Sequence, residues 1–245
     1  MAFVLTFLAG FSTLLGLMII NIKINNNYKI IVGSLSFAAG VMICISIIDL
    51  IPESLNLLSE GFDSFKVILF CFISIVFGVI IAVIFDKIIQ DNNMDKSLYK
   101  IGIISMITII IHNIPEGIIT FISTTANTSL GIKLAIAIAM HNIPEGISIG
   151  VPIYYGLNDK KKAYKYTLIS ALSEPLGGLL AFIFIGNHIS NLSLGILFGI
   201  IAGIMISISI NELLAKAINY KLHKITILSF IFGVVLMLIN ILIFN

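Results

Sequence analysis

The chain has 245 residues, of which 59% are hydrophobic and only 11% are charged, and its mean hydropathy is +1.14. A soluble globular domain could not bury so much apolar surface, so the composition excludes one and indicates a membrane protein. The net charge of +2 comes from scattered lysines without any arginine. This pattern provides no basic patch of the kind that binds nucleic acid.

Apolar stretches of about 20 residues, the length that a membrane-spanning helix needs, recur along the whole chain and are separated by short polar connections. The predicted helices are residues 2–22, 31–55, 66–85, 99–122, 131–153, 164–185, 193–215 and 225–243. The first stretch lacks the basic start of a cleaved signal peptide, so we expect a retained helix. The sequence therefore predicts an all-α, polytopic membrane protein whose residues 1–245 form a single transmembrane domain embedded in the lipid bilayer.

The lysines predict how the helices are oriented. Twelve of the fourteen lysines lie in or beside the first, third, fifth and seventh connections, and only Lys66 and Lys133 lie on the other side. Short cytoplasmic loops of membrane proteins accumulate lysine and arginine. We therefore expect a protein of the cell membrane with both termini outside.

Half of the twelve acidic residues fall within the predicted helices or at their edges. A charged residue at the centre of a membrane helix costs about 2.5–3.5 kcal/mol on insertion scales, and no arginine or central lysine can pair with these carboxylates. A bound cation, a proton or a water-filled cavity must compensate for them. The six residues are Asp49, Glu53, Glu116, Glu145, Glu174 and Glu212.

The hexapeptide His-Asn-Ile-Pro-Glu-Gly occurs twice, at residues 112–117 in the fourth predicted helix and at 141–146 in the fifth. Consecutive helices cross the membrane in opposite directions, so the motif is inverted, as in transporters built from inverted repeats with broken helices. Histidine and glutamate are four residues apart and share a helix face. Imidazole and carboxylate ligands suit zinc and related ions such as iron, manganese, cobalt and cadmium. The ligands predicted to converge on one ion are His112, Glu116, His141 and Glu145.

Other residues of the motifs predict an open backbone and a second ion. Pro115 and Pro144 lack the amide hydrogen of an ordinary helical residue, so we expect each helix to be kinked or opened beside its ligands. Asn113 and Asn142 follow the histidines and are rotated from them by about 100° around the helix. They could serve a second, adjacent ion.

Three further segments share this pattern in a weaker form. Glu174 precedes a proline in the sixth predicted helix and is a further candidate ligand. Asp49 and Glu53 enclose a proline in the second helix, and Glu212 follows a serine-rich stretch in the seventh. We expect these three carboxylates along an ion path, and the alternative is that they are solvated charges at helix ends.

The eight spans and the paired motifs resemble the ZIP (Zrt-/Irt-like protein) family of divalent metal transporters, and within it the bacterial zinc-uptake, ZupT-like branch. The resemblance covers nearly the whole chain. It implies inward transport of zinc, and of cadmium, iron or manganese, as the bound substrate, with homodimers frequent and with Asp49 and Glu53 along the entry or exit path. It also implies a binuclear centre bridged by the motif glutamates, with a first ion held by His112, Glu116, His141 and Glu145 and a second completed by Asn113, Asn142 and Glu174.

The residues leave two other functions open. An intramembrane metalloprotease would use a His-Glu-x-x-His motif, in which the glutamate is next to a histidine ligand, and neither motif here has that arrangement. A proton-coupled carrier of a small organic solute could use the carboxylates as proton relays, but it would not need duplicated His-Glu pairs. We therefore expect a metal carrier that works by alternating access and not an enzyme.

Overall fold

The computed structural model describes residues 1–21, 27–88, 97–184 and 190–244, and these ranges are helical apart from short turns, with no strand among them. Eight of the described helical segments are long and apolar enough to cross a membrane, which confirms the predicted all-α, polytopic fold. The predicted helix ends at residues 22 and 185 lie outside the described residues. The helices are α1 (Ala2–Asn21), α2 (Asn27–Ser59), α3 (Ser64–Ile88), α4 (Ser97–Ala126), α5 (Thr128–Leu157), α6 (Lys160–Phe184), α7 (Asn191–Asn219) and α8 (His223–Phe244).

Polar caps make α4, α5 and α6 a tightly connected unit. Asn127 is the single residue between α4 and α5, and its side chain accepts hydrogen bonds from the first backbone amides of α5. Asn158 ends α5 in the left-handed conformation, with a φ of 52°, and the Asp159 side chain then caps α6. Asparagine and aspartate favour these positions because their short polar side chains satisfy free backbone groups.

The backbone is irregular in α2 and α6, each time just before a proline. The segment Ser46–Leu50 of α2 is a π-turn, and Pro52 follows it. In α6 the helix is interrupted at Leu172, and Pro175 follows. A proline ring clashes with the carbonyl four residues earlier and removes one hydrogen bond, which favours such local widening.

Two other helices also depart from α geometry, whereas the motif prolines lie in regular helices. α1 continues as a 3-10 helix over Thr13–Asn21, and α7 contains a π-turn at Ser209–Leu214. Pro115 and Pro144 lie inside uninterrupted α-helical segments. The predicted opening of α4 and α5 at these prolines therefore stays a prediction.

The eight helices pack as two groups of four. α1, α4, α5 and α6 contact mainly one another and form what we call the first bundle, while α2, α3, α7 and α8 form the second bundle. Contacts between the bundles run chiefly through α2 against α5, with smaller areas between α4 and α7 and between α5 and α8. The chain therefore builds two bodies that meet along a limited seam.

Glycines bring helices of the same bundle into backbone contact. A Cβ atom at these positions would collide with a backbone carbonyl of the neighbouring helix, and small residues allow this close approach in membrane proteins. Among the described residues, every glycine contact joins helices of one bundle and none joins the two bundles. Examples are Gly146 with Thr13, Gly177 with Ile114, Gly40 with Phe230 and Gly78 with Ile200.

The two ends of the helices define two faces of the protein. Because successive helices cross in opposite directions, the start of α1 and the ends of α2, α4, α6 and α8 lie at one face, which we call the terminal face. The ends of α1, α3, α5 and α7 lie at the opposite face. We call it the lysine-rich face, because most of the lysines in the sequence lie in or beside the segments that link these helices to the next ones.

Candidate metal site

Two side chains of α4 and two of α5 converge in the first bundle. The Oε1 atom of Glu116 lies 3.1 Å from Nε2 of His112 and 3.0 Å from Nε2 of His141. The Oε1 atom of Glu145 lies 3.6 Å from Nε2 of His112. All four residues are buried. The short link at Asn127 holds α4 and α5 side by side, so that their two His-Glu faces meet.

The distances within this group fit a bound divalent metal. Zinc bonds of about 2.0–2.1 Å in a tetrahedral site separate the ligand atoms by about 3.3 Å. The ligand atoms of His112, Glu116 and His141 all lie within 4.8 Å of one another. Both carboxylate oxygens of Glu145 and one of Glu116 are buried without a hydrogen-bond partner, and a buried, unpaired carboxylate is costly. A cation bound among these groups would satisfy them.

The predicted ligands of the second ion are only partly brought together. The Asn142 side chain donates hydrogen bonds to Oε2 of Glu174, at 2.8 Å, and to the carbonyl of Ala9, at 2.9 Å. The backbone of Glu174 packs against Gly117, the residue that follows Glu116. Asn113 is fully buried, and neither atom of its amide has a hydrogen-bond partner. The assignment of these three residues as ligands stays a prediction.

A cavity of about 350 Å³ connects this cluster with the space between the bundles. Glu116 and His141 line it, together with Asp49, Glu53 and Asn240 from the second bundle. Its walls come from the C-terminal halves of α2, α4 and α8 and from the N-terminal halves of α5 and α7, so the cavity extends toward the terminal face. Two of the three predicted path residues therefore lie on one route to the cluster, and their role in transport stays a prediction.

A tightly packed layer of mainly apolar residues lies between the cluster and the lysine-rich face. They surround a space of about 10 Å³, which holds no more than about one water molecule. Glu212, the third predicted path residue, lies beyond them on α7, next to Asp86 of α3. It is not part of the cavity. The residues of this layer, which we call the apolar layer, are Ala82, Ile104, Ile107, Thr108, Ile111, Ile204 and Ile208.

The sequence analysis missed Asn240 as a residue of the cavity wall. Its side chain donates a 3.1 Å hydrogen bond to the carbonyl of Ala137, which joins α8 of the second bundle to α5 of the first. Its amide oxygen is buried without a partner. A single asparagine in a strongly apolar helix is an available signal, because a polar group at that depth needs a hydrogen-bond partner.

Eight apolar helices around a buried His-Glu cluster define a polytopic membrane protein that can bind a divalent metal ion. Comparison with known proteins gives the family: the model described as "ZIP Zinc transporter" matches residues 89–241. The chain belongs to the ZIP family of metal transporters, and it is a transporter of divalent metal ions and not an enzyme. This result confirms the resemblance that the two motifs indicated.

Curated relatives match the chain over almost its full length. A protein named "Zinc transporter ZupT" from Streptococcus mutans is 36% identical over 99% of this chain and 97% of its own length. A protein of the same name from Clostridium perfringens is also 36% identical, over 100% of this chain and 96% of its own length. The one from Campylobacter jejuni is 34% identical, over 98% and 94%. The similarity to the ZupT-like branch is thus not limited to the motifs.

Proposed function

We propose that this protein transports zinc as its main substrate, through a site on α4, α5 and α6. The observation that carries the proposal is the position of the Glu116 carboxylate, whose Oε1 atom lies within 3.1 Å of Nε2 of both motif histidines. The relatives named as zinc transporters support zinc as the first substrate. Cadmium, iron and manganese prefer overlapping ligand sets, so they are the competitors to test.

We propose a second ion beside the first, held by Asn113, Asn142 and Glu174 with the motif glutamates as bridges. The hydrogen bond between Asn142 and Glu174 supports this proposal, since it places an amide and a carboxylate together next to the cluster. Gly117 supports it too, because the backbone of α6 at Glu174 packs directly against this glycine of α4. That contact fixes the depth of Glu174 relative to the motif.

We propose that transport runs from outside into the cytoplasm by alternating access, in the cell membrane and with both termini outside. The cavity extends toward the terminal face, while the apolar layer closes the route to the lysine-rich face. In the form that is open toward the terminal face, hydrated metal enters past Asp49 and Glu53 and exchanges its water for the His-Glu ligands. A shift between the two bundles then opens the site to the lysine-rich, cytoplasmic side.

We also propose a homodimer. α3 and α8 are the least buried of the eight helices and offer broad apolar faces to lipid or to a second copy. Chemical cross-linking in native membranes should give a species of two chains, and a single-chain band under all conditions would contradict the dimer.

The test of transport is uptake of radioactive zinc into proteoliposomes that contain the purified chain. The variant Glu116→Ala with Glu145→Ala should lose saturable uptake. Asp63→Ala is the matched control, because it removes an exposed carboxylate that is paired with Lys66 at 2.8 Å. The hydrogen bond from Lys66 lowers the pKa of Asp63, so this control removes a group that is ionised at neutral pH.

The outcomes separate the candidate functions. Uptake that is saturable, inhibited by cadmium and lost only in the motif variant supports the proposed site. Uptake that is equal in the motif variant and in the control contradicts it. Transport of a proton-driven organic solute without stoichiometric zinc in the purified protein would instead favour the rival carrier.

A further inference from the structure

The two bundles are joined on the lysine-rich side by a partly buried ion pair next to the apolar layer. Lys100 at the start of α4, in the first bundle, pairs with Asp86 in the last turn of α3, in the second bundle. Their side chains are only 21% and 30% exposed. An ion pair held this far from water is less screened than one on a fully exposed surface. The contact is therefore suited to hold the bundles together at this face.

Glu212 of α7 extends the ion pair into a group of three residues. Its carboxyl group lies next to that of Asp86 and near Lys100. Two neighbouring carboxyl groups repel each other when both are charged, and the positive charge of Lys100 offsets this repulsion. A lysine from the first bundle is thus matched to an acid pair from two helices of the second bundle.

The position of this group relates it to the cavity. The route to the His-Glu cluster is open toward the terminal face, and the apolar layer closes it toward the lysine-rich face. Lys100 precedes Ile104 of that layer by one helical turn, and Glu212 follows Ile208 by one turn. The polar group therefore lies directly outside the layer, where the bundles must separate if the route is to open on this side.

We propose that Lys100, Asp86 and Glu212 form a latch that keeps the lysine-rich face shut while the cavity is open to the terminal face. The proposal rests on the alternating-access mechanism given above. Opening toward the lysine-rich face then requires that Lys100 leave the acid pair, so the strength of the latch sets the balance between the two forms.

The test measures which face is open, independently of zinc uptake. A cysteine introduced by Ala137→Cys reports on the cavity, because Ala137 lines it, and one introduced by Thr108→Cys reports on the apolar layer. The native Cys44 and Cys71 are buried, so the parent chain gives the background for labelling with a membrane-impermeant maleimide. The reagent is added to either side of oriented proteoliposomes.

Lys100→Gln removes the charge and keeps much of the side chain. We expect it to lower labelling at Ala137→Cys and to raise labelling at Thr108→Cys from the lysine-rich side, each by about fivefold or more, the lower end of typical coupling effects. The charge swap Lys100→Glu with Asp86→Lys should return both rates toward those of the parent. Lys87→Gln, an exposed lysine at the same face, should change neither rate.

Each result decides the proposal. Unchanged labelling in a folded Lys100→Gln variant overturns the latch, and if zinc uptake persists the proposed function still stands. If Lys100→Gln does not fold, the charge swap decides: parent-like labelling supports the latch, and labelling as strongly altered as in an unpaired variant such as Asp86→Asn overturns it. If the parent chain itself takes up no zinc, that result counts against the proposed function and not against the latch alone.

Discussion

Glu116 contacts both motif histidines, at 3.1 Å and 3.0 Å, so we expect metal binding to depend on it more than on any other residue. Glu116→Gln keeps the size of the side chain but removes its charge. We expect the zinc affinity of the purified protein to fall by about 100-fold or more, since even changes outside the ligand shell cost roughly 10–100-fold. Competition with a zinc-binding dye measures it.

The control for this prediction is Glu60→Gln, which changes a glutamate in the connection after α2 that accepts a hydrogen bond from Asn191. Its zinc affinity should match that of the parent chain. An affinity for Glu116→Gln within about threefold of the parent would show that the metal is held elsewhere.

Contacts between side chains could be predicted from the sequence where they depend only on the spacing of residues along one helix. The pairing of His112 with Glu116 follows from their separation by four residues, because such residues share a helix face. The hydrogen bond of Asn240 to Ala137 and the ion pair of Lys100 with Asp86 join different helices. Their partners depend on how the helices pack, and a single sequence does not contain that information.

Reciprocal glycine contacts hold α4 and α6 together at the level of the site. A Cβ at Gly177 would collide with the backbone at Ile114, which lies within the motif of α4. We expect Gly177→Ala to lower the free energy of unfolding by about 1–3 kcal/mol, the usual cost of overpacking, and to reduce zinc uptake by displacing Glu174. Thermal unfolding in detergent and the uptake assay measure the two effects.

Gly61→Ala provides the comparison for this helix contact. Nothing lies within 4 Å of a Cβ placed at Gly61, so this change should leave both stability and uptake near the parent values. Equal stability of the Gly177→Ala and Gly61→Ala variants would contradict the close contact between α4 and α6.

The spans of the helices were predictable because the length of an apolar run reflects the thickness of the bilayer. The π-turns at Ser46–Leu50 and Ser209–Leu214 were not predicted. The motif prolines led us to predict irregular backbone in α4 and α5, whereas the irregular segments of the structure lie in other helices. A proline removes one hydrogen bond, but the packing of neighbouring helices decides whether the backbone stays helical around it.

If the two bundles move against each other, a covalent bond across the cavity should stop transport. Asn240 and Ala137 are neighbours across the seam, joined by a 3.1 Å hydrogen bond. The double variant Asn240→Cys with Ala137→Cys should lose at least about 90% of its zinc uptake on oxidation, because alternating access requires the seam to rearrange. Reduction with dithiothreitol should restore uptake.

A second pair of cysteines, placed within one bundle, is the control for effects of oxidation that do not depend on movement at the seam. Ser12 donates a 2.9 Å hydrogen bond to the carbonyl of Ala139, between α1 and α5 of the first bundle. Oxidation of Ser12→Cys with Ala139→Cys should leave uptake unchanged. Equal inhibition in both double variants, or in neither although both are cross-linked, would argue against movement at the seam.

Zinc bound in the first bundle should raise the free energy of unfolding of the protein. A ligand present at 100 times its dissociation constant stabilises the folded state by about 2.7 kcal/mol. We expect zinc to raise the unfolding temperature of the parent chain, and chelation to reverse the change. His141→Gln should abolish the zinc-dependent part, because it removes a ligand candidate at the centre of the cluster.

Magnesium is the control ion for this measurement, since it prefers oxygen ligands in octahedral geometry. An equal rise in unfolding temperature with magnesium, or a full zinc effect in His141→Gln, would contradict stabilisation through the His-Glu cluster.

The division into two bundles was not predictable from the pattern of apolar residues. In a membrane, side chains that face lipid are as apolar as those that face another helix, so apolar periodicity does not identify the packing partners. Glycines mark the close contacts between helices, but a glycine does not identify its partner. The neighbours of Gly146 and Gly177 became known only with the fold.

The grouping of the helices also bears on how the protein is made. α1 is synthesised before its partners α5 and α6 of the first bundle, and α2 and α3, which lie between them in the sequence, belong to the other bundle. We therefore expect the surface of α1 around Gly10 and Gly16 to lack its final partners until α5 and α6 have been inserted. The continuous stretch from α4 to α6 would then be the unit on which α1 docks during biosynthesis.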